Sequence, residues 1–264
     1  GTGGHVFPAI AIANALRSIQ PDIEILFVGA NGKMEMEKVP DAGYDIFGLD
    51  IRGFDRESLA KNITLPFKPD VVVGVGGYAS GPILMMANFL GIPTLIQEQN
   101  SFPGKTNISL AKQAKKICVA YDGLQKYFPE DKIILTGNPI RRSSVLIEGK
   151  REQAIEMFDI DASHPTILVT GGSLGAKTLN DCVKANIQKF VDAEVQVIWQ
   201  CGGNYFEPLA DELVDTLPEN IKLTPFLTYI DYAYSIADVV IARAGACTIS
   251  ELCAVGKPTI LVPS

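Results

Sequence analysis

The chain has 264 residues, of which 47% are hydrophobic and 20% are charged, and it carries a formal net charge of −7 at pH 7. This length favours two domains, and the composition is typical of a globular protein with an apolar core. The acidic balance argues against a nucleic-acid-binding protein, which usually presents a basic face. No apolar run reaches the roughly eighteen residues of a membrane-spanning helix.

In the first half of the chain, short apolar strand patterns alternate with helical patterns. Strands are predicted at 24–29, 44–50, 70–76, 93–98, 116–121 and 132–137, and helices at 8–19, 81–90 and 105–114. Because these strands are apolar on both faces, they favour a parallel sheet covered by helices.

The second half of the chain repeats this scheme. A helix is predicted at 151–158, strands at 166–170, 195–201, 221–226, 239–242 and 258–263, and further helices at 176–191, 207–217 and 246–255. The polar segment 138–150 separates the halves, which gives domains at 1–140 and 141–264. The predicted fold class is α/β, with two doubly wound, Rossmann-like parallel sheets in tandem and a ligand cleft between them.

Each half contains a glycine turn that leads into a helix, at 1–8 (GTGGHVFP) and at 170–176 (TGGSLGA). Glycine lets backbone N–H groups approach an anion closely, and the helix N-terminus adds positive potential. One such turn can serve chain geometry alone, but two in tandem favour a phosphate-bearing ligand. Pro8 suits the first turn of a helix, where its missing N–H costs nothing. Neither turn matches a P-loop, and neither matches the dinucleotide fingerprint cleanly.

The five cysteines are scattered and form no CxxC pair. They fall in apolar strand or helix patterns, which predicts buried free thiols in a reducing cytosol. The two histidines lie away from any cysteine cluster, so a structural zinc site is not expected.

Four segments together resemble the MurG family, the bacterial transferases that make lipid II from lipid I. They are 1–8; 76–82 (GGYASGP) with 97–100 (QEQN); 137–141 (GNPIR); and 171–176 (GGSLGA) with 243–251 (RAGACTISE). The resemblance implies a GT-B fold, in which the first domain holds the acceptor lipid I and the second holds UDP-N-acetylglucosamine (UDP-GlcNAc). It also implies inverting transfer of N-acetylglucosamine (GlcNAc) to lipid I in peptidoglycan synthesis.

Inverting transfer needs a base near the acceptor hydroxyl and positive potential near the departing diphosphate. His5 is the sharpest candidate, and the resemblance favours acceptor binding or base catalysis over a histidine that only hydrogen-bonds locally. Glu98 is an alternative base or an orienting residue, or else a carboxylate that caps the following helix. No DxD-like pair stands out among the glycine loops, so no metal cofactor is expected.

Further substrate-binding residues of the first domain are implied by the resemblance. Thr2, Gly3 and Gly4 belong to the first glycine turn, and Asn100 is expected to contact the sugar nucleotide. Tyr78 lines the acceptor cleft or, almost as readily, packs as an ordinary core tyrosine.

In the second domain, the resemblance places the donor nucleotide. Glu251 is expected to accept both ribose hydroxyls, with a helix-dipole partner as its alternative role. The other expected donor contacts are Ser173 to phosphate or sugar, Arg141 to the nucleotide, the backbone of Phe226 and Leu227 to uracil, and Ala246, Cys247 and Thr248 to the diphosphate.

Three departures from the family pattern are visible. The family's first strand, which would precede Gly1, is absent, and the segment 54–68 is shorter than expected. The chain also stops just before the family's D-H-Q-T-x-N loop, whose glutamine contacts the donor sugar. We expect the natural protein to contain these further residues.

A polyprenyl substrate implies contact with the cytoplasmic face of the inner membrane by a peripheral protein. The segment 84–90 (LMMANFL) offers an apolar patch, and Lys112, Lys115 and Lys116 can meet anionic head groups. The alternative is that most of these apolar residues face the core.

Two other functions stay open. The chain could be a related GT-B transferase with another lipid or small acceptor, or a non-catalytic subunit that binds nucleotide sugars.

Overall fold

A computed structural model describes residues 3–50 and 67–263. The chain divides into two compact units, Gly1–Ile140 (unit 1) and Arg141–Ser264 (unit 2). The candidate residue Thr2 and all but the end of the shortened segment 54–68 lie outside the described residues. Within the described ranges, no helix is long and apolar enough to cross a membrane.

Among its described residues, unit 1 contains two parallel sheets, one with two strands and one with four strands in the order β3-β4-β5-β6. The strands are β1 (Leu26–Ala30), β2 (Asp45–Leu49), β3 (Val72–Gly74), β4 (Thr94–Glu98), β5 (Lys116–Val119) and β6 (Ile133–Leu135). The helices within the described part of this unit are α1 (Gly3–Ile19), α2 (Glu35–Asp41), α3 (Ser80–Phe89) and α4 (Lys105–Leu110).

The core of the four-stranded sheet is formed by apolar side chains of its two central strands and of the helices that cover them. Ile96 of β4 and Ile117 of β5 are completely buried, and they belong to one cluster with Leu84 of α3 and Leu110 of α4. Burial of each such side chain contributes about 1.5–3 kcal/mol. This packing fixes the carboxyl end of β4, where the candidate residues Glu98 and Asn100 lie.

Helix α1 begins earlier than the sequence predicted. It starts at Gly3, so Pro8 lies inside the helix and not in its first turn, which corrects the expectation for that residue. The buried positions of the helix include Val6, Ile10 and Ala13, so the apolar stripe begins upstream of the proline. This start places His5 in the first turn of α1.

Unit 2 is built on one five-stranded parallel sheet in the order β11-β10-β7-β8-β9. The strands are β7 (Thr166–Thr170), β8 (Gln196–Gln200), β9 (Ile221–Thr224), β10 (Val239–Arg243) and β11 (Thr259–Val262). The helices are α5 (Arg142–Val145), α6 (Arg151–Phe158), α7 (Lys177–Ala185), α8 (Ile187–Asp192), α9 (Gly203–Leu213), α10 (Ile230–Ile236) and α11 (Ala246–Val255).

The strand order of unit 2 reverses between β7 and β10. From β7 the chain proceeds outward through β8 and β9, and it then returns to β10 and β11 on the other side. In such doubly wound sheets, ligands bind at the carboxyl ends of the strands beside this reversal. The second glycine turn follows β7 and the segment before α11 follows β10, so the fold brings these two segments to one edge.

The five cysteines all lie among the described residues and are free thiols, but the predicted burial is wrong for two of them. Cys201 is buried, Cys118 and Cys247 are half-buried, and Cys182 and Cys253 are exposed. Cys182 shows the reason, because the buried face of α7 is formed by other positions of the helix.

Candidate active site

A cavity of about 210 Å³ lies at the carboxyl ends of β3 and β4 in unit 1. Four of the predicted site residues line it together: His5, Tyr78, Glu98 and Asn100. The fold therefore brings the first glycine turn, the segment after β3 and the end of β4 to one place. Gly3 and Gly4 precede His5 in the first turn of α1 but do not line this cavity.

The imidazole of His5 packs against the backbone of Gly76. A β-carbon placed on Gly76 would lie 2.9 Å from Cδ2 and 3.1 Å from Nε2 of His5, so a larger residue would displace the ring. Gly76 also has a φ of +88°, which side-chain-bearing residues rarely adopt. The glycine is therefore required both for the backbone turn and for the position of the imidazole.

Burial lowers the pKa of His5 below its usual value of 6.5, and the negative charge of Glu98 opposes that shift. The desolvated imidazole is therefore mostly neutral at neutral pH and able to accept a proton.

Glu98 is only 1% exposed, and both of its carboxylate oxygens accept hydrogen bonds. Oε1 accepts from the backbone N–H and the side-chain amide of Asn100, both at 3.0 Å. Oε2 accepts from the Gly104 N–H at 3.1 Å and from Nδ2 of Asn107 at 2.8 Å. Four donors occupy the carboxylate, which favours the orienting role of Glu98 over that of a base.

Tyr78 projects from the loop between β3 and α3 and is 80% exposed. This exposure is unlike that of a packing tyrosine. The ring is thus free to contact a ligand at the mouth of the cavity.

Sequence reasoning missed Asn107, which lines the cavity and is 2% exposed. Gly104 and Thr106 also line it and were not singled out. The available signal was an asparagine inside an otherwise amphipathic helix, where a buried amide needs hydrogen-bond partners.

A second amide network connects the end of β4 to the segment before unit 2. The side-chain amide of Gln99 donates to the Val75 carbonyl at 2.9 Å and to Oε1 of Gln97 at 2.5 Å. The side-chain amide of Asn138 donates to the Gln99 carbonyl at 3.1 Å. These bonds hold the predicted motif segment 97–100 against Asn138 of the segment 137–141.

In unit 2, the second glycine turn is held in a tight conformation. A β-carbon on Gly175 would lie 2.0 Å from the Cys201 carbonyl oxygen, and Gly175 has a φ of +79°. The side-chain amide of Gln200 stabilises the turn by donating a hydrogen bond to the Gly172 carbonyl at 3.0 Å. Ser173 is half-buried in this turn, where its hydroxyl and neighbouring amides can meet a phosphate.

Glu251 lies in the second turn of α11, whose first residues are the predicted diphosphate contacts Ala246, Cys247 and Thr248. Burial raises the pKa of Glu251, and the positive charge of Arg141 partly opposes the shift. Burial, reinforced by the charge of Glu251, raises the pKa of the Cys247 thiol to about 11. Arg141, Cys247 and Glu251, which are all predicted to bind the donor nucleotide, therefore lie close enough for Glu251 to interact electrostatically with the other two. The Cys247 thiol stays protonated at neutral pH.

Phe226 and Leu227 follow β9, which ends at Thr224 and so is shorter than the predicted strand 221–226. Pro225 comes next, and it has no N–H to extend the ladder. The Phe226 side chain is 38% exposed, whereas Leu227 is 8% exposed and belongs to the core.

Among the described residues, no group of three or more His, Cys, Asp or Glu side chains is arranged to hold a metal ion.

The chain matches two sequence profiles of one family. Residues 1–119 match the Glycosyltransferase family 28 N-terminal domain, and residues 166–264 match the Glycosyltransferase family 28 C-terminal domain.

Curated proteins from two bacteria are similar over the whole chain. Both are named UDP-N-acetylglucosamine–N-acetylmuramyl-(pentapeptide) pyrophosphoryl-undecaprenol N-acetylglucosamine transferase. The protein from Parabacteroides distasonis is 51% identical and that from Flavobacterium psychrophilum is 50% identical, each alignment covering 100% of this chain and 76% of the relative.

Among solved structures, MurG from Acinetobacter baumannii superimposes with a TM-score of 0.68 at 31% identity, covering 100% of this chain and 76% of that one. The UDP-GlcNAc 2-epimerase from Neisseria meningitidis reaches a TM-score of 0.67 at 18% identity, covering 96% and 79%, which shows a shared fold alone. The predicted α/β class with two parallel-sheet domains of GT-B type is confirmed. With half of its residues identical to such enzymes along its whole length, the chain belongs to the MurG family of N-acetylglucosamine transferases within glycosyltransferase family 28.

Proposed function

We propose that this protein transfers GlcNAc from UDP-GlcNAc to lipid I, the undecaprenyl-pyrophosphoryl-N-acetylmuramyl pentapeptide, and so forms lipid II for peptidoglycan. The observation that carries the proposal is the 51% identity, across the entire chain, with an enzyme named for this donor and this acceptor. That degree of identity favours the cell-wall reaction over transfer to another acceptor and over a non-catalytic subunit.

The acceptor step is assigned to the cavity of unit 1. A hydroxyl oxygen of lipid I forms a bond to the anomeric carbon of GlcNAc, and the bond from that carbon to the diphosphate oxygen breaks. His5 takes the hydroxyl proton, while UDP leaves with the bonding electron pair. The burial that lowers the pKa of His5 supports this role, because the imidazole is then unprotonated at neutral pH.

The donor is assigned to the carboxyl edge of the sheet in unit 2. Backbone N–H groups of the glycine turn that holds Ser173, together with the N-terminus of α11, supply positive potential for the diphosphate. Glu251 accepts the ribose hydroxyls, and Arg141 lies close enough to add a positive charge. This arrangement supports departure of UDP without a metal cofactor.

The protein is further proposed to work at the cytoplasmic face of the inner membrane. On α3, Leu84 and Ala87 are buried, but Met85 and Phe89 are 47% and 83% exposed, and the following Leu90 is 57% exposed. We call these three exposed residues the apolar patch. The predicted segment 84–90 is therefore only partly exposed: Leu84 and Ala87 face the core, and the apolar patch faces solvent.

Basic residues lie in the segment that contacts the helix of the apolar patch. The side chain of Asn88 on α3 donates to Gln113 at 3.1 Å, which brings the segment after α4 beside this helix. Lys112 directly precedes Gln113, Lys115 follows two residues later, and both are exposed, as is Lys116. Exposed apolar side chains beside lysines favour an anionic lipid surface.

The test of the proposed function is turnover of UDP-GlcNAc with lipid I, with the lipid product identified by mass. Wild-type protein should add one GlcNAc to each lipid I, and His5→Ala and Glu251→Ala should both be impaired. Absence of transfer by the wild-type protein would contradict the function, and unchanged rates in both variants would contradict the assigned site.

A further inference from the structure

The side chain of Asn107 is nearly completely buried at the wall of the cavity beside His5, yet only half of its amide is used. Its Nδ2 donates to Glu98, and among the described residues its Oδ1 has no hydrogen-bond partner. A β-carbon on Gly76 would lie 3.9 Å from Nδ2 of Asn107 as well as 3.1 Å from Nε2 of His5, so the amide lies close to the imidazole.

Chemistry fixes which end of this amide remains available. A carboxylate only accepts hydrogen bonds, so the amide of Asn107 must turn its NH₂ group toward Glu98 and leave its carbonyl oxygen unused. The same reasoning applies to Asn100, whose NH₂ group also donates to Glu98. Glu98 therefore accepts from the NH₂ groups of both asparagines, and at Asn107 the carbonyl oxygen remains as a buried acceptor in a residue that lines the cavity.

A buried acceptor without a partner is unfavourable until a ligand supplies a donor. The phosphate oxygens of a nucleotide or of a pyrophosphoryl lipid only accept, so they cannot satisfy Asn107. Sugar hydroxyls and acetamido N–H groups donate, and both occur in the two proposed substrates.

We propose that Asn107 is a further substrate-binding residue whose Oδ1 accepts a hydrogen bond from a hydroxyl or acetamido N–H of a bound saccharide, and that Glu98 is the positioning residue that orients it. The inference rests on the proposed function. The saccharide is either the GlcNAc of the donor or the N-acetylmuramyl group of the acceptor, and kinetics with each substrate varied in turn distinguishes them.

The experiment compares wild type with Asn107→Ala, Asn107→Ser, Glu98→Gln and Asn14→Ala in the intact protein. Asn14 provides a control outside the cavity, because its amide likewise takes part in one side-chain hydrogen bond of unit 1, here by accepting from the hydroxyl of Tyr44 at 2.7 Å. The KM for each substrate, kcat and competitive inhibition by UDP alone are measured for every variant, and folding is checked by thermal unfolding.

We expect Asn107→Ala to raise the KM for one of the two saccharide substrates roughly tenfold, because one hydrogen bond to the sugar is lost. Inhibition by UDP alone should stay within about twofold of wild type, since UDP contains no such sugar. Glu98→Gln should raise the same KM, and Asn14→Ala should leave both KM values unchanged. Asn107→Ser serves if Asn107→Ala fails to fold, because it keeps a polar side chain at this buried position but is too short to replace the amide carbonyl toward the sugar.

A KM for both substrates within about twofold of wild type in Asn107→Ala and Asn107→Ser would overturn the inference. So would a KM rise in Glu98→Gln for a different substrate from the one affected by the Asn107 variants. Failure of the proposed function is separately visible, because the wild-type protein would then give no transfer in the same assay.

Discussion

The α-carbon of Gly76 and the imidazole of His5 are so close that no β-carbon fits between them. The position of the proposed base therefore depends on a residue with no side chain. Gly76→Ala should displace the imidazole and also strain the backbone at a φ of +88°. We expect kcat to fall by about tenfold or more, because a displaced catalytic group loses reactivity steeply with distance.

Gly123→Ala is the matched control for this substitution. Gly123 lies in unit 1 with a φ of +82°, and no described atom lies within 4 Å of a β-carbon placed there. Gly123→Ala should therefore introduce the same backbone strain but leave kcat unchanged. Equal kcat values in the two variants would argue against the steric account.

The pH dependence of kcat/KM tests His5 as the base. Since its pKa is lowered, the acid limb of the wild-type profile should have a midpoint below 6.5. Activity should therefore persist above that midpoint and be lost as pH falls through it. His5→Gln should lower kcat about 100-fold or more and remove this limb. An acid limb of unchanged position in a still active His5→Gln would assign the titration to another group.

Glu251→Ala should weaken the donor site selectively. If the carboxylate accepts ribose hydroxyls, its removal should raise the KM for UDP-GlcNAc roughly ten- to a hundredfold, the range for hydrogen bonds to a charged group. Competition by UDP should weaken in parallel, while the KM for lipid I stays constant. Glu219→Ala removes an exposed carboxylate of the same unit and serves as the control. An equal rise in the KM values for both substrates would point to misfolding of unit 2.

Flotation with vesicles tests the apolar patch. The double variant Met85→Ser with Phe89→Ser should bind vesicles containing anionic lipid several-fold more weakly than wild type, because two exposed apolar side chains are lost. Ile19→Ser, which alters an 81% exposed residue at the end of α1, should bind like wild type. Negligible binding of the wild-type protein to both anionic and neutral vesicles would contradict the proposed role of the apolar patch in membrane binding.

Chelation tests the expected metal independence. Turnover in excess EDTA should equal turnover in magnesium, since backbone amides and a helix N-terminus are proposed to stabilise the diphosphate. Complete loss of activity in EDTA that magnesium restores would show that the departing diphosphate needs a cation.

Local patterns predicted several elements well. The bounds of β7, α6 and α11 match the predicted segments 166–170, 151–158 and 246–255, because each shows a clear apolar pattern with a marked boundary. Helix α10 was missed because four consecutive residues, 233–236, are all buried, which leaves no amphipathic period to detect. Helix α2 was also not predicted, because it is short and contains Pro40, a residue that is unfavourable inside a helix.

The candidate site was predictable where it depends on strand ends and not where it depends on hydrogen bonds. His5, Tyr78, Glu98 and Asn100 follow glycine turns or strand ends, and parallel strands bring such positions to one edge. The contribution of Asn107 depends on which half of its amide Glu98 occupies. That is a three-dimensional property of the pair, which a sequence pattern does not contain.

The most direct test of the account is an acceptor panel for GlcNAc transfer from UDP-GlcNAc, comparing lipid I with a polyprenyl pyrophosphate that lacks the N-acetylmuramyl peptide. We expect a lipid product heavier by one GlcNAc with lipid I and no transfer to the sugar-free lipid. Transfer to the sugar-free lipid at an equal rate, or no product with lipid I, would contradict the proposed function.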